Sequence, residues 1–292
     1  MGAPRHWGWR AGSNGRAGLF PPPALGERRH RSLNLSLCVN DIFREMVARS
    51  VNPLTRGGFR RGVDCMNSAL AENGYVIVRG FLEPGEIAAL QGLAARAYAA
   101  VDAGQGPEFL VNNARTQGGL CLAYLGKVGC GDFDIADLIE RRALPLIGSC
   151  RLIPELSLFR RVKRKTRVGW HIDADGANTK GYDPCINVWV PLVAVGKKLP
   201  SIEIISGSHR IMRSVPLRPQ SAGRSRVWVK RNFAFAHHEI PQLELGDALL
   251  FDHYAMHRTQ PMRRVNGARV SGEFRVTLHP LIICPPGVDH RK

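Results

Sequence analysis

The chain has 292 residues, 44% of them hydrophobic and 22% charged, which suits one large globular domain with decoration and excludes disorder over the whole length. Forty-one Lys plus Arg against 24 Asp plus Glu give a net charge of +17, a balance that attracts polyanions: nucleic acid, acidic carrier proteins, or phosphorylated or carboxylated substrates. No run of about 18 apolar residues is present, so no membrane-spanning helix is expected, and the 7 scattered cysteines, odd in number and without a Cys-x-x-Cys pair, point to a reducing compartment, the cytoplasm.

Residues 1–45 read as a basic, flexible arm. Trp7 and Trp9 sit among Gly and Arg, Pro21-Pro22-Pro23 follows, and Arg28-Arg29-His30-Arg31 closes the segment. The stretch lacks periodicity and a signal-peptide core, so it reads as an extension, or as sequence ahead of the true start, before a nucleic-acid-binding arm. Residues 46–292 read as a single domain, with order beginning near Gly62 and a short helix over 63–73. Tyr75-Val76-Ile77-Val78 is a strand. Pro84 starts a helix whose Leu90, Leu93, Ala94, Ala97 and Val101 share one face. Residues 107–135 read as loop, and 135–149 as a further helix. From about 152 the pattern turns to short strands: 152–159, 185–193, 202–205, 226–236, 243–251 and 269–278. Helices followed by evenly spaced short strands predict a mainly β fold with a helical buttress, an antiparallel sandwich or barrel.

The chemistry-bearing residues lie in the β half. In Trp170-His171-Ile172-Asp173, positions 171 and 173 fall on the same face of a strand, as two ligands of one metal must. Alone this pair is weak. Further on, Gly246-Asp247 makes a turn, 248–251 a buried strand, and His257-Arg258-Thr259 follows; twelve residues later comes Arg269-Val270-Ser271. Two imidazoles and one carboxylate occupy one face of an ion and leave three positions open, which suits non-haem Fe(II) and oxygen. A strand arginine pairs bidentately with a carboxylate, and Ser271 on the same face adds a hydrogen bond. The set describes an iron site beside a dicarboxylate pocket.

The order of these elements, with Ile186-Asn187-Val188-Trp189-Val190-Pro191-Leu192 and Gly207-Ser208-His209-Arg210 between them and Glu72-Asn73-Gly74-Tyr75-Val76-Ile77-Val78-Arg79-Gly80-Phe81-Leu82 ahead, resembles the phytanoyl-CoA dioxygenase (PhyH) family of Fe(II)- and 2-oxoglutarate-dependent oxygenases, from about residue 65 to 280. The resemblance implies a double-stranded β-helix of cupin type. It implies Fe(II) on His171, Asp173 and His257, the distal carboxylate of 2-oxoglutarate on Arg269 with Ser271 assisting, and O2 as second cosubstrate. The implied reaction decarboxylates 2-oxoglutarate to succinate and CO2 while an unactivated carbon is hydroxylated or desaturated. A carboxylate at Asp173, where a small residue would leave room for halide, argues against halogenation. Three features depart from the family pattern: the twelve-residue step from His257 to Arg269, Ile172 between the first two ligands, and Ser206 before Gly-Ser-His.

Rivals exist at several positions. Arg275 is a second candidate anchor on the face of Arg269, and could instead meet substrate or an acidic residue such as Glu273. His253 competes with His257. His209 reads as a turn stabiliser, His237 and His238 as surface, and Trp170 as packing. Asn187 and Trp189 lie on one strand whose register decides what faces the cosubstrate. Six cations between Arg160 and Arg167 read as a solvated strand edge or as a basic rim that recruits an anionic substrate, and one of them could face 2-oxoglutarate. Substrate contacts are expected from 107–130 and 211–225. The expected partner is a small-molecule or carrier- or CoA-tethered substrate rather than nucleic acid. The opposing reading is a non-catalytic β-helix protein that binds a polyanion through its basic surface.

Overall fold

The computed structural model describes residues 68–163, 166–175, 184–217, 223–263, 265 and 267–278. The expected arm at 1–45 lies outside them, as do the start of the 63–73 helix and parts of the basic run and of the 211–225 loop. Residues 68–73 are helical and lead into β1 (Tyr75–Val78). Helix α1 (Pro84–Asp102) has Pro84 in its first turn, where its missing N–H costs nothing, and buries Leu90, Leu93, Ala94, Ala97 and Val101, the predicted face. Asp134 caps α3 (Ile135–Ile147) by accepting from Asp137 N at 2.9 Å.

The expected loop at 107–135 instead holds α2 (Glu108–Thr116), strand β2 (Gly119–Cys121) and a 3-10 turn (Leu122–Val128). Leu110, Val111 and Ala114 carried the helical spacing, in a segment too short to stand out. The expected strand 152–159 is two: β3 (Arg151–Leu152) and β4 (Leu158–Val162). Pro154 falls in the turn between them, since it cannot donate to a ladder. Then come β5 (Cys185–Pro191), β6 (Ile202–Ile205) and a one-turn helix α4 (Ser208–Met212). The segment expected as a strand at 226–236 is helix α5 (Arg226–Asn232). Ser225 caps it by accepting from Trp228 N at 3.1 Å, and Val229 and Phe233, four apart, are buried together. Tertiary burial at helical spacing overrode the alternating valines. The β run ends with β7 (His238–Glu239), β8 (Ala248–Asp252), β9 (His257–Thr259) and β10 (Arg269–Thr277). β8 begins only after the Gly246 turn, later than the expected 243.

Two antiparallel sheets form from these strands. The larger runs β1-β8-β5-β10-β4-β2 with β3 also on β10, and the smaller runs β7-β6-β9. This is the expected double-stranded β-helix with helices on one side. The period-2 rule divides each strand of the large sheet. Ile186, Val188, Val190, Leu250, Phe274 and Val276 face the helices and join α1, α2 and α3 in the main core. Phe159 and Phe274 meet edge to face at 6.3 Å, and Gly272 is required beside them, since a Cβ there would lie 2.3 Å from the Phe274 ring. The opposite face carries Trp189, Leu249 and Phe251, which pack against Ile202 and Ile204 of the small sheet. On that same face β10 presents Arg269, Ser271, Glu273 and Arg275, so its inner surface is polar.

Candidate metal and keto-acid site

His171 and His257 sit opposite one another in an isolated antiparallel bridge, exchanging both backbone hydrogen bonds at 3.0 Å. Directly opposed residues project to the same side of a ladder, and the two imidazole centroids lie 4.2 Å apart. Thr259 secures this pair by accepting from Val168 N at 3.1 Å. Ser208 explains the Gly-Ser-His motif: buried, it donates to Ile205 O at 2.6 Å and accepts from Met256 N at 2.8 Å, pinning the residue before His257.

Asp173 completes the cluster. One ligand atom from each of His171, Asp173 and His257 falls within 4.8 Å of the others, with His171 Nε2 3.6 Å and His257 Nε2 3.7 Å from the Asp173 oxygens. Each ring anchors its other nitrogen: His171 Nδ1 to Gly169 O and His257 Nδ1 to Ala255 O, both 2.9 Å. A carbonyl only accepts, so both Nδ1 atoms carry the proton and both Nε2 lone pairs point to the shared centre, the orientation of ligating histidines. Burial pushes the His257 pKa down to about 4, with His171 adding to the effect and Asp173 opposing it. Burial opposes ionisation of Asp173, but the Arg275 guanidinium and the two imidazoles outweigh it and hold that carboxyl well below the usual range.

A cavity opens beside the triad, lined also by Arg160, Asn187, Trp189, Thr259, Arg269 and Glu273. Arg269 is 2% exposed. Its guanidinium makes one long hydrogen bond, 3.4 Å to Ser201 O, lies 5.1 Å from the Trp189 ring centroid, and leaves Nε without a partner. Burial pushes its pKa down to about 10, Glu273 opposing. Ser271 Oγ, Asn187 Nδ2, Trp189 Nε1 and Ser201 Oγ are likewise buried without partners. Unmet buried polar groups cost about 1–3 kcal/mol each. A concave pocket with such groups around it and three convergent metal-ligand atoms nearby has the donor chemistry for a metal ion and a keto diacid.

Several sequence expectations sort themselves here. Arg275 lies in the same cavity but is engaged: it donates to Asp173 Oδ1 at 2.8 Å and to Leu156 O. It meets an acidic residue, as the sequence allowed, and that residue is the triad carboxylate Asp173. Glu273 instead takes both of its hydrogen bonds from Arg160 Nε, each 2.8 Å. The strand-edge reading of the basic run is wrong for its first part. β4 is paired on both sides, by β2 and β10; Arg160 points into the cavity, while Arg161 points outward and binds Asp102 at 2.6 and 2.7 Å. Asn187 and Trp189 both line the cavity, being two apart on β5. His209 is structural, with Nε2 3.2 Å from Ala71 O, and Trp170 packs in a satellite core under the Arg258 guanidinium, 4.4 Å from its ring centroid. His253 is buried but stands outside the cluster. Neither 107–130 nor the described part of 211–225 lines the cavity. Arg160 is the cation of the basic run that lines the cavity, as alternation on β4 dictates; sequence reading missed Val168, Ile202, Phe251 and Thr259 as lining residues.

Comparison with known proteins bears on the fold and the family. No curated protein sequence matches the chain significantly. Among solved structures, EctD from S. alaskensis with 2-oxoglutarate and 5-hydroxyectoine superposes with a TM-score of 0.55 at 15% identity, covering 78% of this chain and 78% of that one. The non-heme alpha-ketoglutarate-dependent epimerase SnoN from nogalamycin biosynthesis gives 0.53 at 19% identity, over 80% and 94%. The carbocyclase SnoK from the same biosynthesis gives 0.52 at 15% identity, over 77% and 85%. Identities this low speak for the fold, while the profile of one family covers residues 70–265. The chain belongs to the phytanoyl-CoA dioxygenase (PhyH) family, and is an Fe- and 2-oxoglutarate-dependent oxygenase.

Proposed function

We propose that the chain hydroxylates an unactivated carbon of a small or carrier- or CoA-bound, anionic substrate, releasing succinate and CO2, with desaturation as the alternative outcome. The observation that supports it most is the convergence of His171, Asp173 and His257 on one point, near Arg269 Nε and Ser271 Oγ, which are buried without partners. In this reading the triad holds iron, and Arg269 with Ser271 holds the distal carboxylate of 2-oxoglutarate. The bound metal supplies oxygen activation coupled to oxidative decarboxylation. The chain's own part is positional. The Nδ1 anchors aim the imidazoles, Arg275 orients Asp173 and keeps it ionised, and Phe251 with Trp189 walls the cavity against water. The guanidinium fixes the keto acid in one direction. We place the enzyme in the cytoplasm and the oxygenase domain at 46–292, with 1–45 as an appended arm. Among the described residues no helix is long and apolar enough to cross a membrane.

Anaerobic Fe(II) with 2-oxoglutarate should give a visible charge-transfer absorption that Asp173→Ala loses; a folded wild-type protein without the band would overturn the assignment. A succinate-release screen over acyl-CoAs, carrier-bound acids, amino acids and nucleosides then identifies the substrate class. Product mass separates hydroxylation, a gain of one oxygen, from desaturation.

A further inference from the structure

Glu273 is out of place in a pocket for a dianion. It lines the cavity, with its side chain only 14% exposed, and its Oε1 lies 3.8 Å from Arg269 Nη2. A carboxylate of the protein therefore stands within reach of the guanidinium that the functional reading reserves for the cosubstrate. Burial opposes its ionisation, but Arg160 and Arg269 outweigh this and hold its pKa below the usual range. Nothing in the reaction calls for this charge.

Arg160 resolves the conflict. On β4 its Cα faces Ser271 of β10, so it shares the inner face with Ser271 and Glu273. Its Nε donates to both Glu273 oxygens at 2.8 Å, and it too is mostly buried, 15% exposed. The Arg160 contacts are a full ångström shorter than the Glu273–Arg269 approach. We propose, on the basis of the functional reading above, that Arg160 is a specificity-determining residue of the cosubstrate pocket: it holds Glu273 away from Arg269, which keeps the anchor open to the distal carboxylate of 2-oxoglutarate. Without Arg160 the internal carboxylate takes the anchor's free donors and repels the second charge of the incoming acid.

The test compares binding of 2-oxoglutarate with that of 2-oxopentanoate, which keeps the chelating keto-acid end but lacks the distal charge. Both are titrated calorimetrically onto protein loaded with redox-inert Mn(II). Arg160→Gln should weaken 2-oxoglutarate by roughly tenfold or more, the scale of an unpaired charge facing a buried ligand charge, and change 2-oxopentanoate by no more than about twofold. Glu273→Gln should tighten 2-oxoglutarate, and Arg160→Gln/Glu273→Gln should return it to within about threefold of wild type, the coupling expected of groups in contact. Equal losses for both acids in Arg160→Gln, a double variant no better than that single one, or weaker 2-oxoglutarate binding in Glu273→Gln each overturn the proposal. Circular dichroism melting checks folding; if Arg160→Gln does not fold, the direction of the Glu273→Gln effect decides. Wild-type protein that takes up no 2-oxoglutarate overturns the functional reading and this proposal with it, whereas variant-only results bear on Arg160 alone.

Discussion

The Arg275–Asp173 pair invites a stability measurement that also reports on the metal. The two groups are 2.8 Å apart with side chains 8% and 5% exposed. Replacing Arg275 by Met keeps the length and removes the charge, which strands Asp173 between two imidazoles in a buried site. Breaking one side of a buried pair costs about 3–5 kcal/mol, because the remaining charge stays desolvated. The carbonyl of Leu156, which accepts from the same guanidinium, loses its donor as well. At about 2–4 °C per kcal/mol for a domain of this size, the metal-free Arg275→Met protein should melt roughly 6–20 °C below wild type. A divalent cation at the triad returns positive charge to Asp173. Mn(II) should therefore raise the variant's Tm by more than it raises that of the wild type, where Arg275 already neutralises the carboxylate. Differential scanning calorimetry with and without Mn(II) reads both numbers. A metal-free shift under about 2 °C, or equal metal-induced gains in the two proteins, would refute the view that Arg275 and a metal share Asp173.

Three further outcomes follow from the geometry. Arg269→Gln should weaken 2-oxoglutarate by roughly 30- to 1000-fold, the equivalent of about 2–4 kcal/mol for a buried charged pair, and leave Mn(II) affinity within about threefold, as calorimetric titration of each would show; a parallel loss of metal would place Arg269 elsewhere in the mechanism. The metal-free protein should lose stability on acidification: His257 binds its proton near pH 4 when folded against an ordinary value of 6.5. The unfolded chain thus holds more protons in that interval. About 3 kcal/mol is lost as pH falls through it, and the depressed carboxyl of Asp173 adds a loss at lower pH. Urea titrations at pH 7 and about pH 4.5 measure this, and a flat profile would contradict the neutral buried ring. Gly74→Ala should destabilise by roughly 2–4 kcal/mol, because φ there is +79° and the added Cβ would lie 2.3 Å from His209 Nδ1; an unchanged chemical-denaturation midpoint would show that the helix preceding β1 swings away from His209 at no cost.

Sequence alone determined the strands that repeat strictly and the amphipathic α1, and the family resemblance pointed to His171, Asp173 and His257, which the structure brings together. The strands and the helix rest on local rules, period 2 and period 3.6; the expected strand at His171-x-Asp173 is instead an isolated bridge at His171 followed by a turn at Asp173, so strand alternation does not account for that pair. Sequence failed where local preference and tertiary burial disagreed. The Arg226–Asn232 segment alternates like a strand, yet Val229 and Phe233 find a common core only as a helix. Only the tertiary structure separates the surroundings of Arg269 and Arg275. Both lie on the inner face of β10, and the difference is in what each meets: Arg275 donates to Asp173 at 2.8 Å, whereas Arg269 makes one long bond to Ser201 O and leaves Nε without a partner. The same holds for Arg160, whose neighbour in the chain, Arg161, turns to the opposite face and binds Asp102. Charge content is written in the sequence, but whether a charge is solvated, paired or held ready for a ligand depends on strand register, and register is set by contacts between residues more than a hundred positions apart.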